Sequence, residues 1–144
     1  MAYFTLGTST IISRRLTDLP GEFLLSSVVL MELMASAPDE STRRRYEAVR
    51  KAYSKDNSLI VPDSEDWLMA SKVLYWLRQG RRRQAKGRTP RLDPGAPQRM
   101  ALDTLIAVSA RRWETTVVTD NWDDFRAIQN YCRVKIVRAS EFFA

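Results

Sequence analysis

Short strand-like runs alternate with longer helix-like segments along the whole chain. Because a strand–helix–strand unit returns to a parallel neighbouring strand, this alternation predicts a single α/β domain over residues 1–144, with a short, mostly parallel central sheet flanked by helices. In such sheets ligands bind beyond the carboxyl ends of the strands. The predicted strands are Tyr3–Leu6, Phe23–Leu25, Leu59–Val61, Thr116–Thr119 and Val134–Val137.

Six segments carry the helical pattern of apolar residues at every third or fourth position. Ser26 or Ser27 is predicted to cap the second helix, and Asp63 or Ser64 the fourth. Gly, Pro and Arg interrupt the pattern at about 80–98, which predicts a basic, flexible loop there. The predicted helices are Thr8–Leu16, Val28–Ala37, Ser41–Lys55, residues 64 to 78, Gln98–Trp113 and Trp122–Gln129.

The chain contains no histidine and one cysteine, Cys132. The absence of histidine excludes Ser-His-Asp and Cys-His hydrolases, histidine-based nucleases and most zinc enzymes. An enzyme of this composition must use Asp, Glu, Lys, Arg, Tyr or a hard metal ion held by oxygen ligands. No apolar run approaches the roughly 20 residues that span a bilayer, and MAYFTLGTST is not a signal peptide, so we expect a soluble, cytoplasmic protein with no membrane partner.

Positive charge dominates the sequence, with a net charge of +6 and a pI near 9.8. This favours a polyanionic partner such as nucleic acid, because Lys and Arg displace counterions from phosphates. The two basic clusters allow two interpretations, a solvated surface or a grip on an RNA backbone. We interpret the aromatic residues Trp67, Tyr75 and Trp76 as core packing. The clusters are Arg43, Arg44 and Arg45, and Arg78, Arg81, Arg82, Arg83, Lys86, Arg88 and Arg91.

Three acidic residues fall where the predicted fold places ligands. Glu32 lies about one turn into the helix after the second strand, Asp103 near the start of an apolar helix, and Asp124 just past the fourth strand. Taken singly, Glu32 could be solvated, and Asp103 could favour the positive end of its helix dipole. Taken together, three oxygen ligands in a basic, histidine-free chain point to a Mg²⁺ or Mn²⁺ site. Asp120, Asn121 and Asp123 have the alternative interpretation of turn formers or a helix cap.

Four segments carry a resemblance to a known family: YFTLGTSTII, LLSSVVLMEL, LDTLIAVSARRWETTVVTDNWDDF and VKIVRASEFF. In this order they resemble PIN-domain proteins of the VapC toxin type and cover nearly the whole chain. The resemblance implies that Glu32, Asp103 and Asp124 are catalytic, metal-binding acids and that Asn121 is a supporting polar group at the metal. It also implies metal-dependent cleavage of RNA by water, a cognate antitoxin and a homodimer.

The first motif departs from the family pattern. Gly7 stands in Leu6-Gly7-Thr8-Ser9 where the family places its leading Asp. Either the backbone needs a positive φ there, or an acid has been lost, and we favour the loss because the surrounding pattern is intact. The replacement is either natural divergence or an inactivating change.

The resulting hypothesis is an endoribonuclease toxin that hydrolyses RNA phosphodiesters, such as those of tRNA, with activity impaired at Gly7. The alternative is a non-catalytic, degenerate PIN domain that binds RNA or an antitoxin. A DNA-binding regulator is a weaker rival, since the sequence has no helix-turn-helix pattern.

Overall fold

The computed structural model describes residues 3–7, 10, 22–84 and 94–144. The predicted helix Thr8–Leu16 lies almost wholly outside these residues, as do the basic residues Lys86, Arg88 and Arg91. The described strands are β1 (Tyr3–Leu6), β2 (Leu25–Ser26), β3 (Leu59–Ile60), β4 (Thr115–Thr119) and β5 (Ile136–Arg138).

All strand pairs are parallel, as predicted. β4 pairs with β1 on one side and with β5 on the other, while β2 pairs with β3. A parallel bridge between Phe4 and Phe23 joins the two groups, and the Leu24 amide donates to the Phe4 carbonyl at 2.8 Å. The strands therefore follow the order β3-β2-β1-β4-β5, and their carboxyl ends share one edge, hereafter the carboxyl edge.

Five of the described helices correspond to predicted ones, and three of their bounds differ from the prediction by two residues or more. The short helix Ala139–Phe142 was not among the predicted helices. The second predicted helix ends at Ala35, two residues early. The helix predicted to stop at Arg78 continues to Gln84, and the next begins at Ala96, so the loop prediction is wrong for 80–84 and 96–98. The described helices are α1 (Ser27–Ala35), α2 (Glu40–Lys55), α3 (Ser64–Gln84), α4 (Ala96–Arg112), α5 (Trp122–Gln129) and α6 (Ala139–Phe142).

Helix α4 is the centre of the packing. It contacts α3, β4, α5 and α1, and its residues from Thr104 to Ala110 are all buried. Because other elements cover this part of α4 on all sides, it needs no polar face. Its central position therefore accounts for the nearly continuous apolar sequence there. The largest fully buried apolar side chains are Leu6, Leu30, Ile60, Ile106, Phe125, Ile128, Val29, Val73, Val117 and Val118.

A reciprocal cap starts α3. The Asp63 carboxylate accepts from the Asp66 amide at 2.8 Å, and the Asp66 carboxylate accepts from the Asp63 amide at 3.0 Å. Asp63 is thus the capping side chain, as one of the two sequence alternatives predicted. Arg112 at the end of α4 donates to the Asp66 carboxylate at 2.9 Å and to the Val61 carbonyl at 2.8 Å, which ties the two helices together.

None of the helices in the described part of the chain is both long enough and apolar enough to cross a membrane.

Candidate active site

The parallel topology brings the predicted acids to the carboxyl edge. α4 precedes β4 and α5 follows it, so both helices have their amino ends at this edge. Asp103 lies in the second turn of α4, and Asp124 lies in the first turn of α5.

The Asn121 side chain links the two aspartates. Its amide nitrogen donates to the Asp103 carboxylate at 3.1 Å and to the Asp124 carboxylate at 2.8 Å. Asn121 occupies the N-cap position of α5, but its side chain makes no capping hydrogen bond. The interpretation of Asn121 as a helix cap is therefore wrong for its side chain, which bridges two carboxylates instead.

Electrostatics set Asp103 apart from ordinary surface acids. Burial, together with the negative charges of Asp124 and Glu32, raises the pKa of Asp103 from 3.8 to about 7, against opposing effects of Asn121 and Arg99. Asp103 is the eighth residue of α4, beyond the first turn where a helix dipole acts strongly. The helix dipole therefore does not account for Asp103, whose raised pKa reflects burial first and then the charges of Asp124 and Glu32.

Glu32 joins the site through charge. It is a half-buried residue of α1, and its charge raises the pKa of Asp103. Within the described residues, however, no three Asp, Glu or Cys side chains lie close enough together to hold one metal ion between them. The described site is thus a bridged pair of aspartates with a third carboxylate nearby.

Gly7 directly follows β1 at the same edge. It is buried, its amide donates to the Val118 carbonyl at 3.1 Å, and its φ is not in the left-handed region. A Cβ added at Gly7 would lie 3.7 Å from Thr119 Oγ1 and 3.9 Å from both a Phe125 ring carbon and the Val118 carbonyl oxygen, which are ordinary contacts. The backbone therefore does not require glycine, and the alternative based on a positive φ is wrong.

Two threonines that we did not predict support the turn between β4 and α5. Thr119 Oγ1 accepts from the Asn121 amide at 2.8 Å, and Thr10 Oγ1 accepts from the Asp120 amide at 3.0 Å. The Thr-Asp-Asn sequence signals such a hydroxyl turn. No local pattern signals the Thr10 contact, because it joins residues 110 positions apart.

Three further residues at the carboxyl edge were not predicted as site residues: Arg99, Trp122 and Arg138. Arg99 precedes Asp103 by one helical turn and lowers its pKa, a pairing that the i, i+4 spacing could have indicated. The Arg138 guanidinium, at the end of β5, lies 4.6 Å from the ring centroid of Trp122. Arg99 thus adds a positive charge beside Asp103, and Arg138 pairs with Trp122 at the same edge of the sheet.

The aromatic residues of α3 are not core residues. The exposed fractions of Trp67, Tyr75 and Trp76 are 58%, 56% and 49%, so their interpretation as core packing is wrong. The buried side of α3 is formed instead by Asp66, Ala70, Val73 and Leu77. The basic cluster of Arg43, Arg44 and Arg45 is partly paired within α2, because Arg43 bonds Glu40 and Glu47 and Arg44 lies 3.4 Å from Glu40.

The architecture, a short parallel sheet flanked by helices, is a PIN-like α/β fold. No protein-family model matches the sequence, and no curated protein sequence matches it either. Solved structures do match. The DNA-bound VapBC of Salmonella typhimurium aligns at 19% identity over 96% of this chain and 99% of that chain, with a TM-score of 0.57.

Two further toxin–antitoxin structures give the same result. A VapBC-5 structure from Mycobacterium tuberculosis aligns at 23% identity over 96% of this chain and 99% of that chain, with a TM-score of 0.58. VapBC2 of Rickettsia felis, bound to promoter DNA, aligns at 20% identity over 96% and 98%, with a TM-score of 0.59. At these identities the likeness establishes the fold, which is shared over 96% of the chain.

Proposed function

We propose that this chain is a metal-dependent endoribonuclease toxin of a toxin–antitoxin pair, with its activity impaired by glycine at position 7. The observation that carries the proposal is the Asn121 amide joining the carboxylates of Asp103 and Asp124 at the carboxyl edge. Ligands of open α/β sheets bind at this edge.

The donor set fits a hard divalent ion. Mg²⁺ keeps several waters and needs only one or two carboxylates from the protein, which Asp103 and Asp124 offer, with Glu32 close enough to act electrostatically. When bound, Mg²⁺ or Mn²⁺ supplies a water of lowered pKa and neutralises charge on the phosphodiester. Asn121 orients both carboxylates, and Arg99 offers a positive charge to the substrate phosphate.

Position 7 is where the proposed cluster lacks an acid. A side chain there would start at the end of β1, beside Thr119 and Phe125, and Phe125 is the immediate neighbour of Asp124. Ser26 ends β2 at the same edge, and its buried hydroxyl has no hydrogen-bond partner among the described residues. The space for a Cβ admits an acidic residue at position 7, and the Ser26 hydroxyl offers a hydrogen-bond donor at the same edge.

The deciding experiment compares this chain with Gly7→Asp on total tRNA in Mg²⁺ or Mn²⁺, with EDTA as control. Because a missing ligand misplaces the attacking water, Gly7→Asp should cut faster by roughly two orders of magnitude or more. Adding Asp103→Asn to Gly7→Asp should abolish the gain. If Gly7→Asp folds normally yet cuts no faster, the chain is better described as a non-catalytic PIN-like domain that binds RNA or an antitoxin.

The proposed protein partners are a small antitoxin and a second copy of this chain. Trp67, Leu68 and Tyr75 leave half or more of their surface exposed on α3, and exposed apolar groups of this size favour a protein contact. The solution mass should be twice the 16.6 kDa of one chain, and Trp67→Ser with Tyr75→Ser should return it to the single-chain value. A single-chain mass before substitution would contradict the homodimer.

A further inference from the structure

A cavity of about 570 Å³ opens at the amino edge of the sheet, opposite the proposed active site. The starts of β1 and β4, the end of α4 and the segment before β5 form its walls. The lining residues are Tyr3, Arg111, Glu114, Thr115, Thr116, Arg133, Val134 and Lys135.

Three cations line this cavity. Arg111, Arg133 and Lys135 are exposed, and their side chains make no ion pair or hydrogen bond within the described part of the chain. Val134 is buried between Arg133 and Lys135, so these two basic side chains point to the same, solvent-facing side. Glu114 is the one acid among the lining residues, which leaves a net charge of +2.

The neutral groups of the cavity complement these charges. Tyr3 exposes 41% of its surface, and Thr116 adds a hydroxyl at the start of β4. Lys and Arg bind phosphate oxygens, hydroxyls contribute hydrogen bonds, and an exposed aromatic ring can stack on a nucleobase. The cavity is also large enough for a ligand of nucleotide size.

We propose that this cavity binds the phosphate groups of an RNA strand or a free nucleotide, as a second site at the edge of the sheet opposite the acids. For RNA, the inference rests on the proposed function and extends it, because a long substrate would be held at both edges of the sheet. The three cations would act together, so phosphate affinity should depend on their position and not only on the net charge of the protein.

The test measures binding of a fluorescent single-stranded RNA by fluorescence anisotropy. EDTA is present because it removes divalent ions and so prevents metal-dependent cleavage of the RNA. One variant carries Arg111→Ala, Arg133→Ala and Lys135→Ala. Its matched control carries Arg50→Ala, Lys51→Ala and Lys55→Ala on α2. This control removes the same charge, but from a helix that packs beside β3, at the other end of the sheet from β5. The cavity variant should lose roughly tenfold or more in affinity, and its salt dependence should fall by about two in log–log slope, as for three lost phosphate contacts.

A variant that gains affinity distinguishes loss of the site from misfolding. Glu114→Gln removes the acid from the cavity and should tighten RNA binding about threefold, a result that a damaged fold would not give. Adenosine monophosphate serves as the second probe. Competition by micromolar nucleotide identifies a free nucleotide as the ligand, whereas binding of RNA alone identifies a strand.

Equal weakening by the cavity variant and the α2 control, for both probes, would overturn the proposal, as would unchanged affinity in Glu114→Gln. Failure of this site leaves the ribonuclease proposal intact, since that depends on tRNA cutting by Gly7→Asp. Failure of the cutting assay leaves the binding measurement in EDTA unaffected.

Discussion

At the scale of single residues, the carboxyl edge holds several negative charges close together, which is unfavourable unless a cation is bound there. Asp103 is partly buried beside Asp124 and Glu32, and its pKa of about 7 records the cost of ionising it there. Asn121 offsets part of that cost by donating to two carboxylates. Such arrangements are typical of functional sites, because a fold selected only for stability has no reason to retain them.

Asp103→Asn should stabilise the chain in EDTA, and more so at pH 8 than at pH 5. The pKa of Asp103 is raised in the folded state from 3.8 to about 7. Between these pH values Asp103 is ionised in the unfolded chain but still protonated in the folded one, so the folded state loses stability as the pH rises. Asparagine retains the acceptor for Asn121 and removes the charge. We expect a gain on the order of 2 kcal/mol at pH 8, below the full shift because solvent screens a partly exposed group. Urea titrations at both pH values measure it, and a gain independent of pH would contradict the assignment.

Gly7→Asp should raise the affinity for Mn²⁺ by roughly tenfold or more, because each added carboxylate contributes a ligand and a negative charge. Gly7→Asn is the matched control, with nearly the same shape and no charge. Neither should distort β1, since a Cβ at this position meets only ordinary contacts. Calorimetric titration with Mn²⁺ compares the three proteins. Equal affinities in Gly7→Asp and Gly7→Asn would end the hypothesis of a lost acid.

At the scale of elements, caps and ion pairs decide where the helices lie. The start of α3 is held by the reciprocal bonds of Asp63 and Asp66, and Arg112 connects that start to the end of α4. Since α4 carries Asp103, this contact also helps to fix the helix that supplies a central acid. The positions of the two helices are thus coupled through the buried Asp66 carboxylate, with further contacts from Arg112 to Asp63 and to the Val61 carbonyl.

Asp66→Ala should destabilise the protein by about 2–4 kcal/mol, because it removes a cap and leaves Arg112 without its buried partner. The Asp66 side chain is only 5% exposed, so water cannot replace it easily. Glu65→Ala, one residue earlier and exposed, is the control and should change stability by less than about 0.5 kcal/mol. Chemical denaturation of both variants gives the comparison. A similar loss in the two would show that the cap is unimportant.

At the scale of the whole molecule, periodicity predicted the fold class correctly, together with the order of the described strands and of helices α1 to α5. It failed at Trp67 and Tyr75, because an apolar helical face that is exposed in the single chain has the same sequence pattern as one covered by the core. It also failed at residues 80–84, where arginines and a glycine continue α3. The sequence placed Asp103 and Asp124 at the correct edge, but no pattern could show that Asn121 bridges them, since that contact depends on how α4 packs beside β4.

The whole fold should respond to metal in a pH-dependent way. Binding to the native state alone raises stability by mass action, and an ion bound at Asp103 must displace its proton when the pH lies below about 7. Millimolar Mn²⁺ should therefore raise the melting temperature by several degrees at pH 8 and by clearly less at pH 6. Asp103→Asn, which cannot offer a carboxylate at either pH, should lose both the rise and its pH dependence. An equal rise at the two pH values, or one that survives in Asp103→Asn, would place the bound ion elsewhere on the molecule.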